Sequence, residues 1–149
     1  MRRTRILIVV GFGVFVFLGI SAMLARALSA TGTERSRVLD VVRAEARGDI
    51  KTVLQNTPAC AQEPACAAAT RAFVSELKRP GDVQILQYRP SAQMPITNGI
   101  GTGRVAWRAG ESNPVVQCVR VRREGPLSGA GVELLSISAP IGNEASCPD

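Results

Sequence analysis

The longest hydrophobic pattern in the chain runs from Ile6 to Ala25, ILIVVGFGVFVFLGISAMLA, without one charged residue. A bilayer core takes about 20 apolar residues as a helix, so the run is long enough to span it. Arg2, Arg3 and Arg5 precede the run, and Arg26 follows it alone. An excess of arginine beside a span marks the cytoplasmic side, and a single arginine at a helix end reaches back to the interface. The expected order is therefore a basic cytoplasmic tail at 1–5, a transmembrane helix at 6–25, a linker at 26–33 and an extracytoplasmic domain at 34–149. A cleaved signal peptide is the rival. Its apolar core usually runs about 7–15 residues, and Ala25-Arg26-Ala27 makes a poor small-residue cleavage site. Both routes export the same domain.

Beyond the run, the pattern turns amphipathic. Leu28 to Thr33 reads as a short joint broken by Gly32, and Thr31-x-x-Glu34 resembles a capping box that starts a new helix. Val38, Leu39, Val41, Val42 and Ala46 then form one stripe at helical spacing. Gly48 ends that helix and Asp49 caps the next, in which Ile50, Val53 and Leu54 share a face. Asn56-Thr57-Pro58 stops it, and Cys60 opens a loop. Glu63-Pro64 begins a third helix, with Cys66, Thr70, Phe73 and Leu77 on one side and Pro80-Gly81 at its close.

From Val83 the period changes from helical to alternating. Val83 to Arg89, Thr102 to Ala109, Pro114 to Arg123 and Val132 to Ala139 read as four strands. Pro90 to Gly101 reads as a long loop, with Gly110 to Asn113 and Gly125 to Gly131 as hairpin connections. Val105 and Trp107 face one way, and Arg104 and Arg108 the other. Val115, Val119 and Val121 likewise oppose Cys118, Arg120 and Arg122. Such alternation suits an antiparallel sheet with one face on helices and one toward water.

Charge and cysteine content sharpen this picture. The formal charge of +6 invites a nucleic-acid partner, but four of the eighteen basic residues flank the apolar run. The other fourteen face twelve acids. A nearly balanced domain lacks the basic footprint of a nucleic-acid binder. Cys60, Cys66, Cys118 and Cys147 all lie on the exported side, where an even count reads as two disulfides. Three pairings are open. The short loop around Pro64 favours Cys60–Cys66, leaving Cys118–Cys147. The chain has no histidine and no C-x-x-C pair, which speaks against zinc and against histidine-based catalysis. No cofactor is expected.

The remaining candidates each have a bland competitor. Asp49 suits a helix cap better than a catalytic acid. Arg47-Gly48-Asp49 spells an adhesion tripeptide, but glycine and aspartate have structural roles at a helix junction. Phe73, Tyr88 and Trp107 are the aromatics that can line a ligand pocket, with core packing as the alternative. If the second and third strands pair, Arg104, Arg108, Arg120 and Arg122 form a basic stripe suited to an anionic partner. A solvated face that discourages aggregation is the competing role.

Helices first, a Gly-Asp break, then consecutive antiparallel strands is an α+β order. With VVRAEARGDIKTVL at the helix junction and the strands VAWRAG, VVQCVRVRREG and GVELLSISAP, the chain resembles the nuclear transport factor 2-like, or cystatin-like roll, superfamily. It looks like the small single-anchor exported versions found in bacteria. The resemblance implies a transmembrane helix followed by about three helices packed on a curved four-stranded antiparallel sheet, which leaves a cone-shaped pocket. Some members are enzymes, and others bind or assemble. Single-anchor relatives include scaffold subunits of type IV secretion machines and accessory proteins of lipid importers, from which this chain departs in its cysteines and short length. The function expected is a non-enzymatic, membrane-anchored extracytoplasmic binding or scaffold domain of the bacterial envelope. Its expected partners are the lipid bilayer and other envelope proteins. A small-ligand binder using the pocket of the roll is the alternative, and an enzyme of unknown type comes behind both.

Overall fold

A computed structural model describes residues 2–91, 99–125 and 131–148, with side chains from residue 10 onward except at 26–31. The first element, α1 (Arg2–Arg47), is one continuous helix of 46 residues. The joint expected between Leu28 and Thr33 does not break it, and no new helix starts at Thr31. A lone helical glycine costs only about 1 kcal/mol against alanine, and Ala25, Ala27, Leu28 and Ala30 beside Gly32 are strong helix formers. Propensity summed over the window outweighs one weak residue.

Gly48 does end α1. At φ +71° it occupies the left-handed region, its N–H donates to the Glu45 carbonyl at 2.8 Å, and the Asp49 N–H reaches the Ala44 carbonyl at 2.8 Å. This is a Schellman closure, which satisfies the last carbonyls of the helix. Asp49 then caps α2 (Ile50–Asn56), accepting from the Thr52 N–H at 3.1 Å and its hydroxyl at 2.6 Å. Those two bonds, the hydroxyl's first, hold the Asp49 carboxyl below its usual range. Where the sequence suggests a loop at Cys60, the chain makes a short helix, α3 (Pro58–Gln62), followed by α4 (Pro64–Glu76). Proline opens both, where its missing N–H is no loss.

The sheet is an antiparallel meander in the order β1 (Val83–Arg89), β2 (Gly99–Ala109), β3 (Val115–Arg123), β4 (Val132–Ile137). Of the loops expected from sequence, 92–98 and 126–130 lie outside the described residues. One face carries Val105, Trp107, Ala109, Val115, Val119 and Val121, all packed against Val38, Val41 and Val42 of α1 and Phe73, Val74 and Leu77 at α4. The protein is thus α+β, with helices on one face of an open four-stranded sheet. Removing the fully buried valines and Trp107 from water supplies the main driving force for this packing.

Two disulfides close the structure, Cys60–Cys66 between α3 and α4 and Cys118–Cys147 on the other sheet face. They suit an oxidising, extracytoplasmic compartment. After β4 the chain runs on beside β3, with the Ile141 N–H on the Val116 carbonyl at 2.8 Å, before Cys147 turns back to Cys118.

The N-terminal part of α1 behaves differently. Its apolar side chains from Val10 to Leu24 are bare, with Phe12, Phe15 and Phe17 at 69%, 78% and 68% exposure. Among the described residues no helix is long and apolar enough to cross a membrane, and the side chains at 6–9 of the expected span lie outside them.

Candidate functional site

On its sheet-facing side α1 buries two glutamates, Glu34 and Glu45, neither with any exposure. Eleven residues of helix separate them by about 16 Å. Their partners on β3, Arg123 and Gln117, are six residues of strand apart, about 20 Å. The two rises nearly match, so α1 runs along β3 in the opposite sense and meets it with a polar contact at each end.

At the far end, the Trp107 Nε1–H donates to Gln117 Oε1 at 2.6 Å. Gln117 Nε2 donates in turn to the Ser138 carbonyl at 2.9 Å and to Glu45 Oε1 at 3.3 Å. Trp107 has only a donor to offer, which fixes the orientation of the Gln117 amide. Glu45 Oε2 has no hydrogen-bond partner among the described residues. Burial pushes the Glu45 carboxyl up to about 8, against a smaller lowering by Gln117. A carboxyl sealed away from water holds its proton, because desolvation penalises the charged form.

At the near end, Glu34 is held from three directions. Arg123 donates through Nε at 2.6 Å and forms an ion pair through Nη2. The Tyr88 hydroxyl donates to Oε1, and Ser91 adds its backbone N–H at 3.3 Å and its hydroxyl at 3.4 Å. Burial, and then the bond given to Glu34, push the Tyr88 hydroxyl above its ordinary range. Space for this cluster comes from glycines in β2. A Cβ on Gly101 would lie 2.7 Å from Ser91 Cβ, and one on Gly103 would lie 3.1 Å from the Arg89 carbonyl. The strand G-I-G-T-G leaves its core face bare so that the chain leaving β1 can cross it.

Glu34, Glu45, Gln117 and Arg123 were not among the residues singled out from sequence, where Glu34 figures only as a capping-box partner. A signal was present, however. Gln117 and Arg123 keep the same alternation phase as Val115, Val119 and Val121, and Gly101 and Gly103 keep that of Val105 and Trp107. Polar residues and glycines in a core-facing phase mark a buried polar cluster and a close backbone approach.

The aromatic candidates do not converge on an opening. Trp107 is fully buried, Phe73 lies in the core beside Val74, and the half-buried Tyr88 is occupied with Glu34. An open groove of about 690 Å³ lies elsewhere, between α2, α3 and α4, with Ile50, Lys51, Leu54, Pro58 and Arg71 among its lining. The four candidate arginines do share the outer sheet face, as Arg104 opposite Cys118, Thr102 opposite Arg120 and Ile100 opposite Arg122 in the register show. Their engagements differ. Arg104 donates to the Asn143 carbonyl of the C-terminal segment, Arg108 to Gln84 at 3.4 Å, and Arg122 pairs with Glu133 at 2.7 Å. Arg120 is exposed, with no partner among the described residues.

All four cysteines are in disulfides. Among the described residues no three histidine, cysteine, aspartate or glutamate side chains gather as a metal site. No protein family matches this chain, and no curated protein or solved structure matches it.

Proposed function

We propose that this chain is a non-enzymatic, membrane-anchored extracytoplasmic domain that binds or scaffolds other proteins of the bacterial envelope. One observation carries the reading. A single helix is bare and apolar over Val10 to Leu24, then clamped onto a disulfide-stapled domain from Glu34 onward. A patch of exposed phenylalanines and leucines on this scale is stable only under lipid or another protein. The three arginines ahead of the run and the disulfides after it agree on an N-terminus inside and a domain outside. On this reading residues 6–25 span the bilayer, and the helix laid on a four-stranded meander is a cystatin-like roll.

Because α1 does not break at Gly32, anchor and domain form one stiff unit, suited to presenting a fixed surface to neighbours. The small-ligand alternative has less support, since Trp107 is sealed in the core and the Tyr88 hydroxyl is taken by Glu34. In vivo crosslinking followed by mass spectrometry tests the scaffold reading, with alkaline carbonate extraction of membranes as its companion. The expected result is a carbonate-resistant protein captured with a small, reproducible set of envelope proteins. Recovery of the monomer alone would remove the scaffold role, and release by carbonate would remove the anchor.

A further inference from the structure

Concave shape, apolar surface and unpaired positive charge coincide in the groove between α2, α3 and α4. Ile50 and Leu54 on α2, with Pro58 and Ala61 on α3, make its lining apolar, and Lys51 and Arg71 make it basic. Among the described residues no acid lines it. Neither cation finds an acid one turn away along its own helix. Leu54 and Gln55 hold those positions for Lys51, and Ala67, Ala68, Val74 and Ser75 hold them for Arg71. Arg71 is exposed, with no partner among the described residues. Lys51 lies only in the field of Asp49, whose carboxylate is already held by Thr52.

The walls of the groove are set before anything binds. The Cys60–Cys66 disulfide ties α3 to α4, and Asp49 caps α2 beside Lys51. A preformed surface spares a partner the entropy of ordering it. Position decides against lipid as the occupant. From Ala25 to Arg47 the unbroken helix rises about 33 Å, and the whole of α2 can return only about 10 Å of that. On the anchored reading Lys51 therefore stands clear of a headgroup layer roughly 5–8 Å deep. Openness decides against a small ligand, since a ligand pocket covers roughly 70–90% of its occupant. A protein segment needs only one of its faces covered.

Building on the scaffold reading, we propose that this groove receives an acidic amphipathic segment of another envelope protein. The aliphatic side chains of the segment lie on Ile50, Leu54 and Ala61, and its carboxylates meet Lys51 and Arg71. Arginine gives a carboxylate a forked pair of bonds, and lysine gives it a point charge. The exposed amides of Gln55 and Gln62, each both donor and acceptor, serve the backbone of the segment.

The full chain in its native membrane provides the test. The photocrosslinker benzoylphenylalanine replaces Gln55 in the groove or, in a separate chain, Arg120 on the outer sheet face. Mass spectrometry of the crosslinked peptides then reads the sequence captured. The expected capture at position 55 is one recurrent segment carrying aspartate or glutamate among aliphatic residues. Lys51→Glu with Arg71→Glu, both at exposed positions, should melt at the wild-type temperature. The same pair should lower the capture at least about tenfold, because like charges then face each other. Exchanging the acids of the captured segment for lysine should restore capture by that variant. Arg37→Glu with Arg89→Glu makes the same change in net charge outside the groove and should leave capture unchanged. Capture of lipid, of a basic segment or of a second copy of this chain at position 55 overturns the inference. So does capture that ignores the charge reversal. Proteins captured at position 120 and none at 55 overturn it while leaving the scaffold reading standing. A chain that captures nothing at either position removes both.

Discussion

Arg123 Nε donates to Glu34 Oε2 at 2.6 Å, joining the last residue of β3 to a fully buried residue of α1 across 89 positions of sequence. Both groups are buried, Glu34 without exposure and Arg123 at 9%. Losing one partner strands the other, and breaking a buried pair in this way costs about 3–5 kcal/mol. Glu34→Gln and Arg123→Gln should each lower the urea midpoint sharply. Glu34→Leu combined with Arg123→Leu should recover much of the loss, because no uncompensated charge remains. If the two single variants lose stability additively when combined, the pair is not coupled as the geometry requires.

Glu45 has the opposite character, a buried carboxyl without a cation. It titrates near 4.5 when unfolded and near 8 when folded. Between these values the folded chain holds the extra proton, so stability falls as pH rises through that window and is fully retained below it. Glu45→Gln keeps an acceptor for Gln117 and has no proton to lose. It should flatten the pH dependence between 5 and 8 and add on the order of 3 kcal/mol at pH 7. Unfolding measured across that range for both proteins decides the matter. Parallel curves would mean that Glu45 is not the titrating group.

The disulfides differ in what they hold. Cys60–Cys66 closes a short loop within the helices, whereas Cys118–Cys147 ties down a segment 29 residues away along the chain. Loop entropy assigns roughly 2–3 kcal/mol to the first and about 3–4 to the second. Cys118→Ser with Cys147→Ser should therefore cost more stability and open the C-terminal segment to proteolysis at its exposed residues. Thiol labelling of intact cells should find no reactive cysteine until a reductant is added.

How much of this was legible follows from the range of each interaction. Alternation placed Val105 and Trp107 on one face and Arg104 and Arg108 on the other, and the register agrees. Gly48 and Asp49 are readable because caps act within a few residues, and the Cys60–Cys66 pairing favoured by its short loop forms, as does Cys118–Cys147, the pair left over. Glu34 looks like a local cap in the sequence because its partners, Tyr88, Ser91 and Arg123, are brought to it only by the sheet. The continuity of α1 through Gly32 is hidden for a different reason. One glycine looks like a break, but neighbours with high helix propensity override it.

Gly32 and Gly101 let the same substitution be read in opposite directions. Among the described residues nothing lies within 4 Å of a Cβ built at Gly32, in the helix, whereas one at Gly101 would meet Ser91 Cβ at 2.7 Å. Replacing a helical glycine by alanine removes backbone entropy from the unfolded chain at no steric cost. Gly32→Ala should then stabilise the helix by up to about 1 kcal/mol. At Gly101 the added methyl must push Ser91 away from Glu34, and overpacking of this kind costs about 1–3 kcal/mol. Gly101→Ala should accordingly lower the melting temperature, and Gly101→Ala with Ser91→Gly should restore part of it by removing the side chain in the way. Gly32→Pro supplies the contrast, since proline removes an intrahelical hydrogen bond and kinks the helix at about 3 kcal/mol or more. If α1 is the rigid link between anchor and domain, Gly32→Pro should alter the pattern of crosslinked partners and Gly32→Ala should not. An unchanged pattern in both would mean that the orientation of the domain does not depend on an unbroken α1.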